Sequence, residues 1–117
     1  MMIKSSTRIV LIFKTFVVKI PVSYRGYLQC KNEKHIWSKY KSHMLGKMYW
    51  YKLGIVCMKR YKIANYIPSA NVIEMKQLIP ELNVENCDLY NYKNWGIEDE
   101  KYILIDYGIT EQVSKMY

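Results

Sequence analysis

The sequence predicts an α+β domain, a mostly antiparallel sheet with one or two packed helices. Three observations predict it. Short apolar runs rich in Val, Ile and Phe lie next to tight-turn residues, as strands do. One stretch, residues 24–44, carries apolar residues at helical spacing instead. Strand-like and helix-like segments come in the order β-β-α-β-β-α-loop-β-β, which builds an α+β layer rather than a parallel barrel. With 117 residues, half of them hydrophobic, the chain is sized for a single domain with one core.

The segments follow in order. "RIVLIFK" and "TFVVKI" meet at Lys14-Thr15 and read as a hairpin or one long bent strand, closed by Pro21, which cannot donate to a ladder. From Tyr24 to Met44, Glu33, Trp37, Tyr40 and Met44 share one helical face with Leu28 and Ile36, and the lysines mostly face outward. Gly46 is the expected stop, since glycine accepts the left-handed conformation that ends helices. "KMYWYKLGIVCMKRY" reads as two strands turned at Lys52-Leu53-Gly54, and "IANYIP" as a linker. Ser69 is the expected cap of a helix "ANVIEMKQLI" that Pro80 ends. "ELNVENCDLYNYKNWGI" is loop-like, "EDEK" a turn, "YILIDYG" the last strand, and the tail from Ile109 a short helix.

The formal charge is +8, and it is unevenly spread. Residues 1–66 hold fourteen Lys and Arg but a single acid, Glu33. That asymmetry points to an anionic partner such as nucleic acid, a phosphate ligand or an acidic protein, or else to a solvated lysine-rich surface. Cys30, Cys57 and Cys87 are widely spaced and pair with no histidine at zinc spacing, so buried free thiols are expected. His35 and His43 lie too far apart in sequence to suggest a metal pair. The N-terminal apolar stretch is interrupted by Lys14 and Lys19, and its unbroken part, Ile9–Phe13, is too short to cross a bilayer. The expectation is a cytoplasmic protein without a membrane partner.

Glu33 is a lone carboxylate on the apolar face of a basic helix. Such a group costs stability unless a cation meets it, and Lys19 in "FVVKIP" on the preceding strand is the natural candidate. Further along, "DLYNYKNWGIEDEKYILIDYG" carries Asp88, Asn94 and Asp106. Read alone, these residues also admit a plain ion pair at Lys19–Glu33, turn caps at Asp88 and Asn94, and turn chemistry at Asp106 and Gly108.

Together they resemble the protein-kinase family, and "DLxxxxNWG…LIDYG" looks like the small kinase-like proteins of bacteriophages, over about residues 8–109. The resemblance implies a trimmed kinase small lobe with a remnant metal-loop hairpin. In it Lys19 holds nucleotide phosphate, Glu33 orients that lysine, Asp88 positions the acceptor hydroxyl, and Asn94 with Asp106 binds magnesium; Mg-ATP is the implied cofactor. The chain departs from the pattern at several points. Asp88 to Asn94 is six residues instead of five, Asn86 and Cys87 stand where the family has His and Arg, no Gly-rich loop precedes Lys19, and nine residues follow Gly108. A site with so little surrounding structure holds magnesium ligands poorly. The expected function is therefore a non-catalytic kinase-like protein that binds and modulates a host protein in the host cytoplasm. An active Mg-ATP-dependent phosphotransferase and a nucleic-acid binder working through its Lys/Arg/Tyr-rich surface are the alternatives.

Overall fold

The computed structural model describes residues 1–83 and 89–108. It is an α+β fold of two antiparallel sheets and two helices. The first sheet is built from β1 (Met2–Lys4), β2 (Arg8–Ile12), β3 (Phe16–Pro21), β4 (Met48–Lys52) and β5 (Ile55–Lys59), in the order β1-β2-β3-β5-β4. The second holds β6 (Lys62–Ile63), β7 (Trp95–Glu98) and β8 (Lys101–Leu104). Helix α1 (Tyr24–Tyr40) is inserted between β3 and β4, and α2 (Ser69–Leu78) between β6 and β7.

The β2–β3 hairpin forms where the sequence turns at Lys14-Thr15, and its register sets Val10 opposite Lys19 and Ile12 opposite Val17. β3 then pairs with β5, Lys19 against Val56 and Val17 against Met58. Because side chains alternate along a strand, Arg8, Val10, Ile12, Val17, Lys19, Val56 and Met58 share one face. Helix α1 packs on part of that face, and Cys30, Ile36, Val56 and Met58 belong to one buried cluster.

Four details depart from the sequence reading. An extra strand, β1, pairs with β2; its residues are exposed, so no alternation of buried and exposed positions marks it. Helix α1 ends at Lys41 rather than near Gly46: Lys41 takes the left-handed conformation (φ 43°) and its N–H donates to the Trp37 carbonyl. The start of the expected linker pairs with β7 as β6. Ser69 is the first residue of α2, and Pro68, which has no side-chain donor or acceptor, takes the cap position. The expected helix after Ile109 lies outside the described residues.

The start of α1 follows the usual chemistry, with the Ser23 side chain accepting from the Gly26 N–H. Gly46 has a different task. Its N–H donates to the Leu104 carbonyl at 2.7 Å, and the Leu104 N–H donates to the Met44 carbonyl at 2.8 Å. The segment after α1 is thus stitched to the end of β8, and the two sheets close around a core of Leu45, Met58, Met75, Ile79, Leu82, Trp95, Leu104 and Tyr107. This closure decides where the residues after β8 go: Ile105 to Gly108 run directly beneath α1 and the inner face of the first sheet.

Candidate functional site

Lys19 lies mid-strand in β3, and Glu33 lies next to the midpoint of α1. The Lys19 Nζ donates to Glu33 Oε2 at 2.7 Å. Glu33 is fully buried and Lys19 is 6% exposed. The same ammonium donates to the Ile105 carbonyl at 3.0 Å, so it also holds the chain just before Asp106.

Arg8 completes the cluster, and the sequence reading did not single it out. Its Nη1 pairs with Glu33 Oε1, and its Nη2 reaches Asp106 Oδ1 at 3.1 Å. Four charges therefore meet in a small volume: two cations on adjacent strands, one carboxylate from the helix and one from the segment after β8. The signal available in the sequence was strand alternation, which puts Arg8 on the face of Lys19 once β2 and β3 are paired. In the sequence Arg8 simply opens the apolar run "RIVLIFK", and nothing local sets it apart from other strand-end cations.

Elementary electrostatics accounts for the titration of the cluster. Burial opposes the charge on Arg8, but Glu33 and Asp106 outweigh it and carry the guanidinium above the ordinary arginine value. At Asp106 burial pushes the pKa up, and the Lys19 and Arg8 charges with the Arg8 hydrogen bond more than reverse this. Its carboxyl is held below the usual range. Burial raises the Cys30 thiol despite nearby Arg8, which leaves it protonated and unsuited to nucleophilic attack. Burial, reinforced by the Glu33 charge, likewise keeps the Tyr107 phenol neutral, and its hydroxyl donates to the Gly46 carbonyl at 3.0 Å.

The Asp-Tyr-Gly segment is shaped by packing as much as by charge. Tyr107 is fully buried. A Cβ on Gly108 would come within 2.5 Å of the Gln29 carbonyl oxygen, so only glycine lets this segment run against α1. The Asn32 side chain donates to the Gly108 carbonyl at 3.4 Å.

The cluster forms one end of a cleft of about 750 Å³ between the two sheets. Its apolar lining comes from Val10, Ile12, Val17, Met58, Ile63 and Ile105, and its cations are Arg8, Lys14, Lys19, Lys59, Arg60, Lys62 and Lys93. Asp106 is the one acidic lining residue among those described. Lys59 pairs with Glu98, and Arg60 donates to the Phe13 carbonyl at 3.0 Å. Lys14, Lys62 and Lys93 are exposed at the rim.

Of the residues singled out from the sequence, Lys19, Glu33 and Asp106 are brought together. Asn94 ends a short 3-10 turn, Tyr92–Asn94; its carbonyl accepts from the Ile105 N–H at 2.9 Å, and its neighbour Lys93 lines the cleft in its place. Asp88 lies outside the described residues. Magnesium demands several hard oxygen ligands in near-octahedral order. Among the described residues no three His, Cys, Asp or Glu side chains gather to hold a metal ion, and Asp106 commits Oδ1 to Arg8. The donor set of the described residues does not fit a resident magnesium. Among those residues, too, no helix is long and apolar enough to cross a membrane.

In comparisons with known proteins, the chain matches no protein-family model and no curated protein sequence.

Proposed function

We propose that this protein is a small kinase-like binding module whose cleft takes a nucleoside polyphosphate, with ATP as the simplest candidate, and holds it without transferring phosphate. The observation that carries the reading is the make-up of the cleft. It has apolar walls on one sheet face, seven Lys and Arg side chains, and a buried lysine fixed by a helix glutamate. A base needs a flat apolar slot, and a polyphosphate needs converging donors. This cleft offers both, and its volume lies in the range of small-molecule sites.

In this reading Lys19 is the anchoring donor and Glu33 keeps its ammonium aimed. Val10, Val17 and Ile105 receive the base, and Lys14, Lys62 and Lys93 draw in the anion from the rim. Phosphotransfer is the less supported alternative, because Asp106 is already engaged by Arg8. A protein or nucleic-acid partner would draw on the Tyr- and Lys-rich exterior, whereas the cleft favours a compact anion with an apolar end.

Thermal melts test the reading. ATP is expected to raise the melting temperature more than adenosine or tripolyphosphate alone, with about 2.7 kcal/mol of stabilisation at a hundredfold excess over Kd. Equal shifts from tripolyphosphate and ATP would mean a generic anion site. A larger shift from a single-stranded oligonucleotide would assign the cations to nucleic acid.

A further inference from the structure

We infer that Arg8 takes the place of a metal ion in this cleft, and that the protein binds its nucleoside polyphosphate metal-free. The inference rests on the reading of the cleft given above and adds the ionic form of the ligand. Three observations carry it.

The first is geometry. Arg8 spans Glu33 and Asp106 with its two terminal nitrogens, so Asp106, the one carboxylate lining the cleft among the described residues, is already neutralised by a side chain of the protein. A guanidinium does this well: it is planar, permanently charged and forked, and each arm takes a separate carboxylate. The second is that Arg8 is built in and is no loosely placed surface residue. It is 7% exposed, and its backbone N–H donates to Ser5 Oγ at 3.1 Å in a tight turn just before β2. The Ser5 hydroxyl in turn donates to the Arg8 carbonyl at 3.1 Å. Glu33, fully buried, fixes the other side of the fork. The third is the charge balance of the lining among the described residues. Arg8 and Lys19 offset Glu33 and Asp106, and Glu98 offsets Lys59. Lys14, Arg60, Lys62 and Lys93 remain as excess positive charge to meet the ligand beside the Lys19 donor.

A free nucleoside triphosphate carries more negative charge than its magnesium complex, so a cleft whose charge is supplied wholly by side chains prefers the free form. A metal-dependent site behaves in the opposite way: its carboxylate is bare, repels phosphate, and needs the cation as a bridge.

The test is a titration of the full chain with a fluorescent N-methylanthraniloyl-ATP in magnesium and in EDTA. Binding in EDTA is expected to be at least as tight as in magnesium. Asp106→Asn, which removes a negative charge from the lining, is expected to tighten binding in both buffers. Arg8→Gln is expected to weaken binding about tenfold in EDTA, with most of the loss recovered on adding magnesium, because Asp106 is then bare. If Arg8→Gln does not fold, the wild-type comparison and Asp106→Asn decide the matter.

Wild-type binding that weakens by more than about threefold in EDTA overturns the inference while leaving the nucleotide reading intact. Loss of magnesium-dependent binding in Asp106→Asn overturns it as well, since that is how a metal ligand behaves. No binding in either buffer overturns the nucleotide reading, and this inference falls with it.

Discussion

Glu33 is the single carboxylate that two buried cations share, and its removal shows what the cluster is worth. In Glu33→Gln, Lys19 and Arg8 stay buried with one fewer negative charge between them, and breaking a buried pair from one side costs about 3–5 kcal/mol. Urea denaturation of the variant should show a loss of that order, a large fraction of the stability of a domain this size. A loss within the range of an ordinary surface substitution would mean that the cluster contributes nothing beyond packing. Asp106 makes a pH-dependent contribution of known sign. Its folded-state pKa lies below the ordinary value of 3.8. The stabilisation is therefore complete above that ordinary value and disappears as the pH falls through the lower folded value. Acid-unfolding curves of the wild type should accordingly fall more steeply below about pH 4 than those of Asp106→Asn. The Lys19–Glu33 contact was legible because a lone acid on a lysine-rich helix demands a cation, and the strand lysine was the natural candidate; Asp106 was singled out only through the resemblance of its Asp-Tyr-Gly segment, and no local rule put it beside them. The fourth member was not legible, because nothing local distinguishes Arg8 from any residue that opens an apolar strand. Only the β2–β3 register brings it into reach.

At the scale of elements, close backbone approaches and turns set the tolerances. Gly108→Ala places a methyl group against the Gln29 carbonyl of α1, which must move away, at a cost of about 1–3 kcal/mol. Hydrogen exchange in the middle of α1 should speed up in that variant, and unchanged exchange would mean that the segment after β8 is not packed as described. The β4–β5 turn offers a gain. Leu53 is 87% exposed and takes a positive φ of 53°, followed by Gly54 at 80°. A branched side chain pays roughly 1–2 kcal/mol for that conformation, and asparagine pays much less. Leu53→Asn should therefore raise the melting temperature without altering the cleft. The β4–β5 hairpin was legible because two runs rich in Tyr, Val and Met flank a turn at Lys52-Leu53-Gly54, and β2 and β3 because both are short Val- and Ile-rich runs. The end of α1 was not, because a lysine took the left-handed position that glycine usually fills, and Gly46 was needed instead where the chain meets Leu104. The short strands β1 and β6 escaped for a similar reason: two or three exposed residues have no periodicity, and only their partners define them.

For the whole molecule, what matters is how the basic half of the chain is arranged. Six of the fourteen cations in residues 1–66, joined by Lys93, line a single cleft together with apolar residues such as Val10, Val17, Met58 and Ile105. Its affinity for a polyphosphate should fall as ionic strength rises, since the rim lysines act through solvent and are screened over about 8–10 Å at physiological salt. Lys62→Glu with Lys93→Glu should weaken polyphosphate binding at low salt, flatten its dependence on ionic strength, and leave the melting temperature of the free protein nearly unchanged, because both positions are exposed. A steady affinity in that double variant would move the anion elsewhere on the surface. The account depends most on where the ligand sits, and methyl-resolved NMR of the full chain with added ATP measures that directly. The predicted result is saturable shifts of the Val10, Val17, Met58 and Ile105 methyl groups, with Val18 and Ile20 on the opposite sheet face left in place. Cleft methyls that stay still at millimolar ATP, or shifts confined to the opposite face, would contradict it.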